Sequence, residues 1–353
     1  MKREEAIISL EELLSHIREL YGLETGELKP FDFHEGGRNL VLFTDTQPRR
    51  IIRISYLDDR ALQDYRAETE YVRYLRAGGA HVAGVLESRR GNLVEEVRAG
   101  SSTCYVSMFE YARGDLLVDH HYQYREGAPL EEYFYNCGKT LGEMHELSKK
   151  YQPRTARYDF FDRYCPELID RLVPHSLPEL KARLNRLLAD LNGLERTPEC
   201  YGMVHFDYSD GNYHIDYDTG DITVFDFDNC CTCWYMYDLA NLWTHGVGWV
   251  MFEPDAKRRK AFMDSYFAAV VDGYRSETEL SDAMLEKLPV FVQAVLMENI
   301  LDEFETQQFE GTYPEIDGEM EWRMWCMLED IPFLGFFHER YDTNSPMEAE
   351  TPD

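Results

Sequence analysis

The sequence predicts an α+β protein of two lobes, a small antiparallel sheet lobe at the N-terminus and a mostly helical C-terminal lobe. Three observations carry this. A chain of 353 residues is long for one hydrophobic core. Its first third alternates short β-like runs with one helical repeat. From Leu130 onward, apolar residues return at helical spacing. The expected lobes are residues 1–112 and 113–341, meeting near "EYARGD" (Glu110–Asp115). The polar, acidic tail 342–353 is expected to be disordered.

The elements follow in order. Residues 4–21 place Leu10, Leu13, Leu14, Ile17 and Leu20 on one helical face. "LKPFDFHEGG", "RNLVLFTD" and "RRIIRIS" then read as three strands, broken at Gly36-Gly37 and at "TDTQP". Helical spacing over 58–77 stops at Gly78-Gly79. Two or three more strands run through "NLVEEVRAG" and "TCYVSMFEYA". The second lobe opens on a helix in "LEEYFYNCGKTLGEMHELSKKY", with further helices at 178–193, 237–245, 255–274, 283–305 and 319–329. Its one expected β interruption is "MVHFDYSDGNYHIDYDTGDITVFDFDN", residues 203–229.

Bulk properties narrow the function. A net charge of −30 repels nucleic acid and anionic membrane surfaces and attracts cations, although solubility alone also accounts for it. The charged, periodic N-terminus is unlike a signal peptide, and no run of about 18 apolar residues suggests a membrane span. Eight scattered cysteines fit reduced thiols, so a cytoplasmic location is expected.

Residues 203–229 contain seven aspartates and neither lysine nor arginine. Crowded carboxylates repel, so the stretch is either a solvated acidic loop or a site completed by metal ions. Asp216, Asp218 and Asp221 fall in "DYDTGD", a turn between two β-like flanks, and are expected in water. The ends of that hairpin carry Asn212 and Asp226, with Asp207 five residues before Asn212. Hard oxygen donors of this kind suit Mg²⁺, which takes one or two carboxylates and completes its shell with water and phosphate oxygens.

"HFDYSDGN" followed by "VFDFD" resembles the catalytic and metal motifs of the aminoglycoside phosphotransferase and choline kinase-like family, small-molecule kinases with a protein-kinase-like fold. The resemblance covers most of the chain. "IIRIS" is similar to the strand bearing the phosphate-contacting basic residue, here Arg53; "RAETEYVRYLRAGG" resembles the helix bearing its acidic partner, Glu68 or its rival Glu70. "CGKTLGEMHEL" resembles the helix before the catalytic lobe, and "YDLANLW" the helix whose aspartate, Asp238, would be structural.

The resemblance implies an ATP- and Mg²⁺-dependent transfer of phosphate to a small-molecule hydroxyl. Asp207 would orient the acceptor hydroxyl and take its proton, while Asn212 and Asp226 would hold Mg²⁺. Arg53, oriented by Glu68, would meet phosphate oxygens, and main-chain groups from Glu110 to Ala112 the adenine edge. Gly36 and Gly37 permit either a turn over phosphates or a plain hairpin. Asp210, Asp228, Glu298 and Asp302 are candidate contacts for an amine-bearing acceptor; Glu298, Asp302 and Glu305 share a helix face that a solvated surface explains more readily. Aminoglycosides, choline, ethanolamine, homoserine, sugars and macrolides are all acceptors in this family. A nucleotide-binding regulatory protein or pseudokinase, or a protein kinase of the same fold, is the alternative. The full Asp207, Asn212 and Asp226 set weighs against the first, and Phe206 in place of the arginine before the catalytic aspartate against the second.

Overall fold

The computed structural model describes residues 10–24, 28–30, 39–57, 59–100, 102–251 and 253–332. The Gly36-Gly37 turn, residues 4–9 of the first expected helix and the tail 342–353 lie outside the described residues. No helix among the described residues is long and apolar enough to cross a membrane. The α+β class is as the sequence predicts. The chain divides into two compact units that are discontinuous in sequence.

The first unit comprises Met1–Gln123, Tyr151–Arg157 and Asn212–Asn229. Its antiparallel sheet runs β1 (Leu28–Pro30), β2 (Asn39–Thr44), β3 (Arg50–Ser55), β6 (Ser102–Glu110), β4 (Val85–Leu86), with β5 (Glu95–Ala99) also pairing β6. Strand side chains alternate faces. Leu40, Leu42, Ile52, Ile54, Val106 and Met108 therefore share one face, which α1 (Leu10–Tyr21) covers with Leu13, Ile17 and Leu20. On the other face the register aligns Val41, Arg53 and Ser107. α2 (Leu62–Ala77) belongs to that side, with Glu68 meeting Arg53 and the Tyr65 ring 4.9 Å from Tyr105.

The acidic hairpin belongs to this unit. β8 (Tyr213–Ile215) pairs with β9 (Ile222–Val224). Asp115 and Ile215 exchange main-chain hydrogen bonds at 3.1 and 2.8 Å, and Val224 donates to His81 at 2.9 Å while accepting from Ala83 at 2.8 Å. Gly114 makes the first contact feasible: its φ is +95°, and a Cβ there would lie 2.1 Å from the Ile215 oxygen.

The second unit comprises Tyr124–Lys150, Tyr158–Gly211 and Cys230–Asp353. Its helices are α3 (Leu130–Ser148), α4 (Phe160–Arg163), α5 (Pro166–Leu172), α6 (Pro178–Asn192), α7 (Tyr235–Gly246), α8 (Ala256–Glu277), α9 (Asp282–Leu285), α10 (Leu288–Glu310) and α11 (Gly318–Glu329). The helix expected at 283–305 is two helices, because Pro289 lies in the first turn of α10, where a missing N–H costs nothing. The short α4 and α5 were not evident from periodicity, which needs longer windows. The acidic hairpin is not the only β structure after Leu130. β7 (Tyr201–Val204) pairs antiparallel with β10 (Cys231–Trp234), a strand too short to show alternation.

α3 and α8 cross through glycines. A Cβ on Gly138 would lie 1.9 Å from the Val270 oxygen, and one on Gly273 1.9 Å from the Tyr135 oxygen. The obstacle is backbone in both cases, so neither helix can yield locally. Overpacking of this kind costs about 1–3 kcal/mol. Gly138→Ala is expected to lower the thermal midpoint by several degrees; an unchanged midpoint in circular dichroism would contradict the close crossing.

Candidate active site

Within the first unit, Arg53 is the focus. The two-residue period that sends Ile52 and Ile54 to the core sends Arg53 to the opposite face, where it is nonetheless buried. Its Nη2 donates to Glu68 Oε2 at 2.7 Å, and Glu68 is fully buried. Glu70, the rival in sequence, instead accepts from Thr155 at 3.1 Å. The Phe109 ring lies 5.2 Å from the guanidinium carbon, and Nη1 reaches Asp226 Oδ1 at 3.5 Å. Arg53 Nε has no protein partner among the described residues. Burial works against the Arg53 charge, but Glu68, with Asp228 and Asp226, more than offsets it and raises the pKa.

The hairpin ends meet as its pairing requires: the Phe225 N–H donates to the Asn212 carbonyl at 2.9 Å. Asp226 follows with φ +59°, its carboxylate about half exposed at 47%. Asp228 is buried. Its carboxylate accepts from Asn39 Nδ2 at 3.2 Å and lies 3.5 Å from Arg60, while its main-chain oxygen accepts from Arg60 and Arg157. Of the three turn aspartates expected in water, Asp216 is buried: Arg113 Nε meets it at 2.6 Å and the Asp218 N–H donates to it at 3.0 Å. Near the expected adenine edge, the Glu110 N–H donates to Gly84 and its carboxylate accepts from the Gly84 N–H and Arg76. The Ala112 oxygen lies 2.9 Å from His214 Nδ1.

Within the second unit, the loop carrying Asp207 is fixed from α7. Asp238 is fully buried, and its two oxygens accept the His205 and Phe206 N–H groups, each at 2.8 Å. His145 Nε2 lies 3.1 Å from Asp238 Oδ2, and its Nδ1 lies 3.0 Å from the Tyr274 hydroxyl. The Phe206 carbonyl accepts from Asn241 at 2.6 Å, and the buried Tyr208 hydroxyl donates to the Cys137 carbonyl at 3.1 Å. Asp207 and Asp210 are half-buried. Glu298, Asp302 and Glu305 share a face, and that face is engaged: Tyr237 donates to Glu298, and Arg163 meets Asp302 at 2.8 Å and Glu305 at 3.4 Å. Burial, then Asp302, pushes the Glu298 carboxyl up to about 8.

The sequence reading missed Asn39, Arg60, Arg157, Arg163 and Tyr237. Each acts across a long sequence separation, and although Tyr237 opens "YDLANLW", nothing local marked its partner on α10.

The model of the phosphotransferase enzyme family matches residues 32–280, well over half of the chain. The chain belongs to this family. It is accordingly a phosphotransferase with an alcohol group as acceptor, a small-molecule kinase. Amicoumacin kinase of Bacillus subtilis (strain 168) is 28% identical over 289 residues, 80% of this chain and 81% of that protein. An amicoumacin kinase solved with AMP-PNP, Ca²⁺ and Ami shares the fold with a TM-score of 0.79 at 22% identity, over 94% of this chain and 97% of that one. A microcompartment-associated aminopropanol kinase has a TM-score of 0.63 at 22% identity, over 92% and 94% of the two chains. Choline kinase from Streptococcus pneumoniae has one of 0.55 at 13%, over 91% and 98%. The protein-kinase-like fold expected from the motifs is thereby established.

Burial lowers the His145 pKa from 6.5, against the opposing pull of Asp238. The unfolded chain therefore takes up this proton first, so the His145 contribution is fully present above pH 6.5 and is lost as pH falls through the folded value. His145→Gln keeps a donor and an acceptor without titrating. It is expected to lessen the drop in urea-unfolding stability between pH 7 and pH 5; an equal drop in both proteins would assign that dependence elsewhere.

Proposed function

We propose that the protein transfers the γ-phosphate of ATP, with Mg²⁺, to a hydroxyl of a small amine-bearing molecule. The observation that carries this is the hairpin end, where Asn212 and Asp226 stand beside the buried Arg53–Glu68 pair. The donor set suits Mg²⁺: a half-exposed carboxylate and an amide, both hard oxygen donors, leave room for water and phosphate oxygens. Asn212 and Asp226 would hold the ion, and when bound it would neutralise phosphate charge.

The chain's own residues supply the rest. Arg53 keeps its proton at any working pH, is aimed by Glu68, and has an N–H to spare for a phosphate oxygen. Glu110 to Ala112 would present main-chain groups to the adenine edge. Asp207, on a loop clamped by Asp238, would orient the acceptor hydroxyl and accept its proton. Phosphoryl transfer depends chiefly on positioning and charge, so a rigid base loop suits it.

The amine on the acceptor is supported by the −30 net charge. Of the four carboxylates expected there, we assign the contact to the half-buried Asp210 and to Asp302, which meets Arg163 yet keeps 46% of its side chain exposed. Asp228 and Glu298 are committed to Asn39 and Arg60, and to Tyr237.

The test is ATP turnover across a panel of amino alcohols, hydroxy amino acids and aminoglycosides, with products located by mass spectrometry. Acceptors bearing an amine should be preferred, with a KM that rises with ionic strength because half-exposed charge pairs are screened over about 8 Å at physiological salt. Efficient phosphorylation of a neutral sugar with no salt dependence would overturn the amine. Two variants divide the roles. Asp207→Asn should hold Mg²⁺–ATP within a few-fold yet lose nearly all turnover. Asp226→Ala should lose the gain in nucleotide affinity that Mg²⁺ confers in calorimetry; a retained gain would remove Asp226 from the metal.

A further inference from the structure

Phe206, the residue before Asp207, has φ +74°. This left-handed conformation is unfavourable for a bulky side chain and persists only where surroundings enforce it. The N–H to Asp238 and the carbonyl from Asn241 hold its backbone. Its ring is held separately. The Tyr237 ring lies parallel to it, 4.3 Å away with an interplanar angle of 4°, and the Tyr164 ring lies 6.0 Å away at 23°.

Both tyrosines are tied to α10. The Tyr237 hydroxyl donates to Glu298. Arg163 Nε lies 3.2 Å from the Tyr164 hydroxyl, and the same guanidinium binds Asp302, one helical turn beyond Glu298. Tyr237 and Tyr164 are fully buried, so neither hydroxyl can turn to water instead. A ring without its hydroxyl anchor gains freedom to slide, and the ring it stacks against does too.

We infer that Glu298 is a positioning residue for the Asp207 loop, acting through the Tyr237 hydroxyl and the Phe206 ring. This rests on the reading of Asp207 as the acceptor-side base. It separates Glu298 from Asp302 in function, although the two stand on one face of one helix. The groups facing Glu298 are Asp302 on its own helix, Tyr237 from α7, Tyr164 and Arg163 from α4 and the residue after it, Cys233 from β10, and Asp207 itself. Deprotonation of Glu298 adds a negative charge beside Asp302 and Asp207, so the loop is expected to respond as this carboxyl titrates.

The experiment compares Glu298→Ala, Glu298→Gln and Tyr237→Phe, the last being the mildest change to the core. Hydrogen exchange needs no acceptor. The amides of His205 and Phe206, which donate to Asp238, should exchange at least tenfold faster in Glu298→Ala and Tyr237→Phe, and return close to the native rate in Glu298→Gln, whose amide oxygen still accepts from Tyr237. ADP release from Mg²⁺–ATP with 1-amino-2-propanol should show kcat lowered about ten- to a hundredfold by Glu298→Ala, with the KM for ATP unchanged. Glu298→Gln should restore kcat and remove one limb of its pH profile. Native exchange at these amides in Glu298→Ala would overturn the inference. So would full turnover by Glu298→Ala where Asp207→Asn is inactive. Full turnover by Asp207→Asn would instead remove the base assignment, and the positioning role with it.

Discussion

The second unit is organised around the carboxylate of Asp238. Burying it would be costly without compensation. Here its oxygens take two main-chain N–H groups and face an imidazole nitrogen, which satisfies the charge and freezes three parts of the chain at once. Helix α7 supplies the carboxylate, α3 supplies His145, and β7 runs into the two amides. Asp207 comes one residue later. The residue proposed as the base is thus placed by a rigid buried group rather than by its own contacts.

The first unit has its own charge problem and solves it differently. Seven aspartates in one acidic stretch contain no local counter-charge. The sequence alone suggested water or metal as the remedy. Part of the compensation comes from distant arginines: Arg53 reaches Asp226, Arg60 reaches Asp228 and Arg113 reaches Asp216. Among these three, Asp226 alone keeps a half-exposed carboxylate. Arginine suits the central position here. Its planar fork serves Glu68 with one nitrogen and Asp226 with another, which a lysine point charge could not do in the same fixed geometry.

What the sequence disclosed follows from distance along the chain. The hairpin and the placement of Asn212 and Asp226 at its two ends were legible, because each depends on neighbours within a turn or two, while Arg53 was marked only by the resemblance of "IIRIS" to a family strand. The Asp238–His145 contact spans 93 residues and the Asp228–Arg157 contact 71, and no periodicity encodes either. The face of α10 was readable as a face, since i, i+4, i+7 spacing is geometry. Its partners were not, since Arg163 and Tyr237 approach from elsewhere in the fold. Assignment of the hairpin to the unit built on the N-terminal sheet was hidden for the same reason: it rests on main-chain bonds to His81, Ala83 and Asp115.

Backbone conformation ties one candidate functional residue, and the neighbour of another, to their surroundings. Among the described residues, few that are not glycine have positive φ, and they include Phe206 and Asp226. The two differ in what that conformation demands. Aspartate tolerates the left-handed region, since its short polar side chain finds local partners, so Asp226 demands little enforcement. Phenylalanine does not tolerate it readily, and the strain is of order 1–3 kcal/mol. That demand explains why Phe206 is restrained at its N–H, its carbonyl and its ring. A smaller residue would adopt this turn with less support, but it would give Tyr237 nothing to stack upon. The unfavourable choice therefore couples the loop to the buried aromatic layer and, through it, to α10.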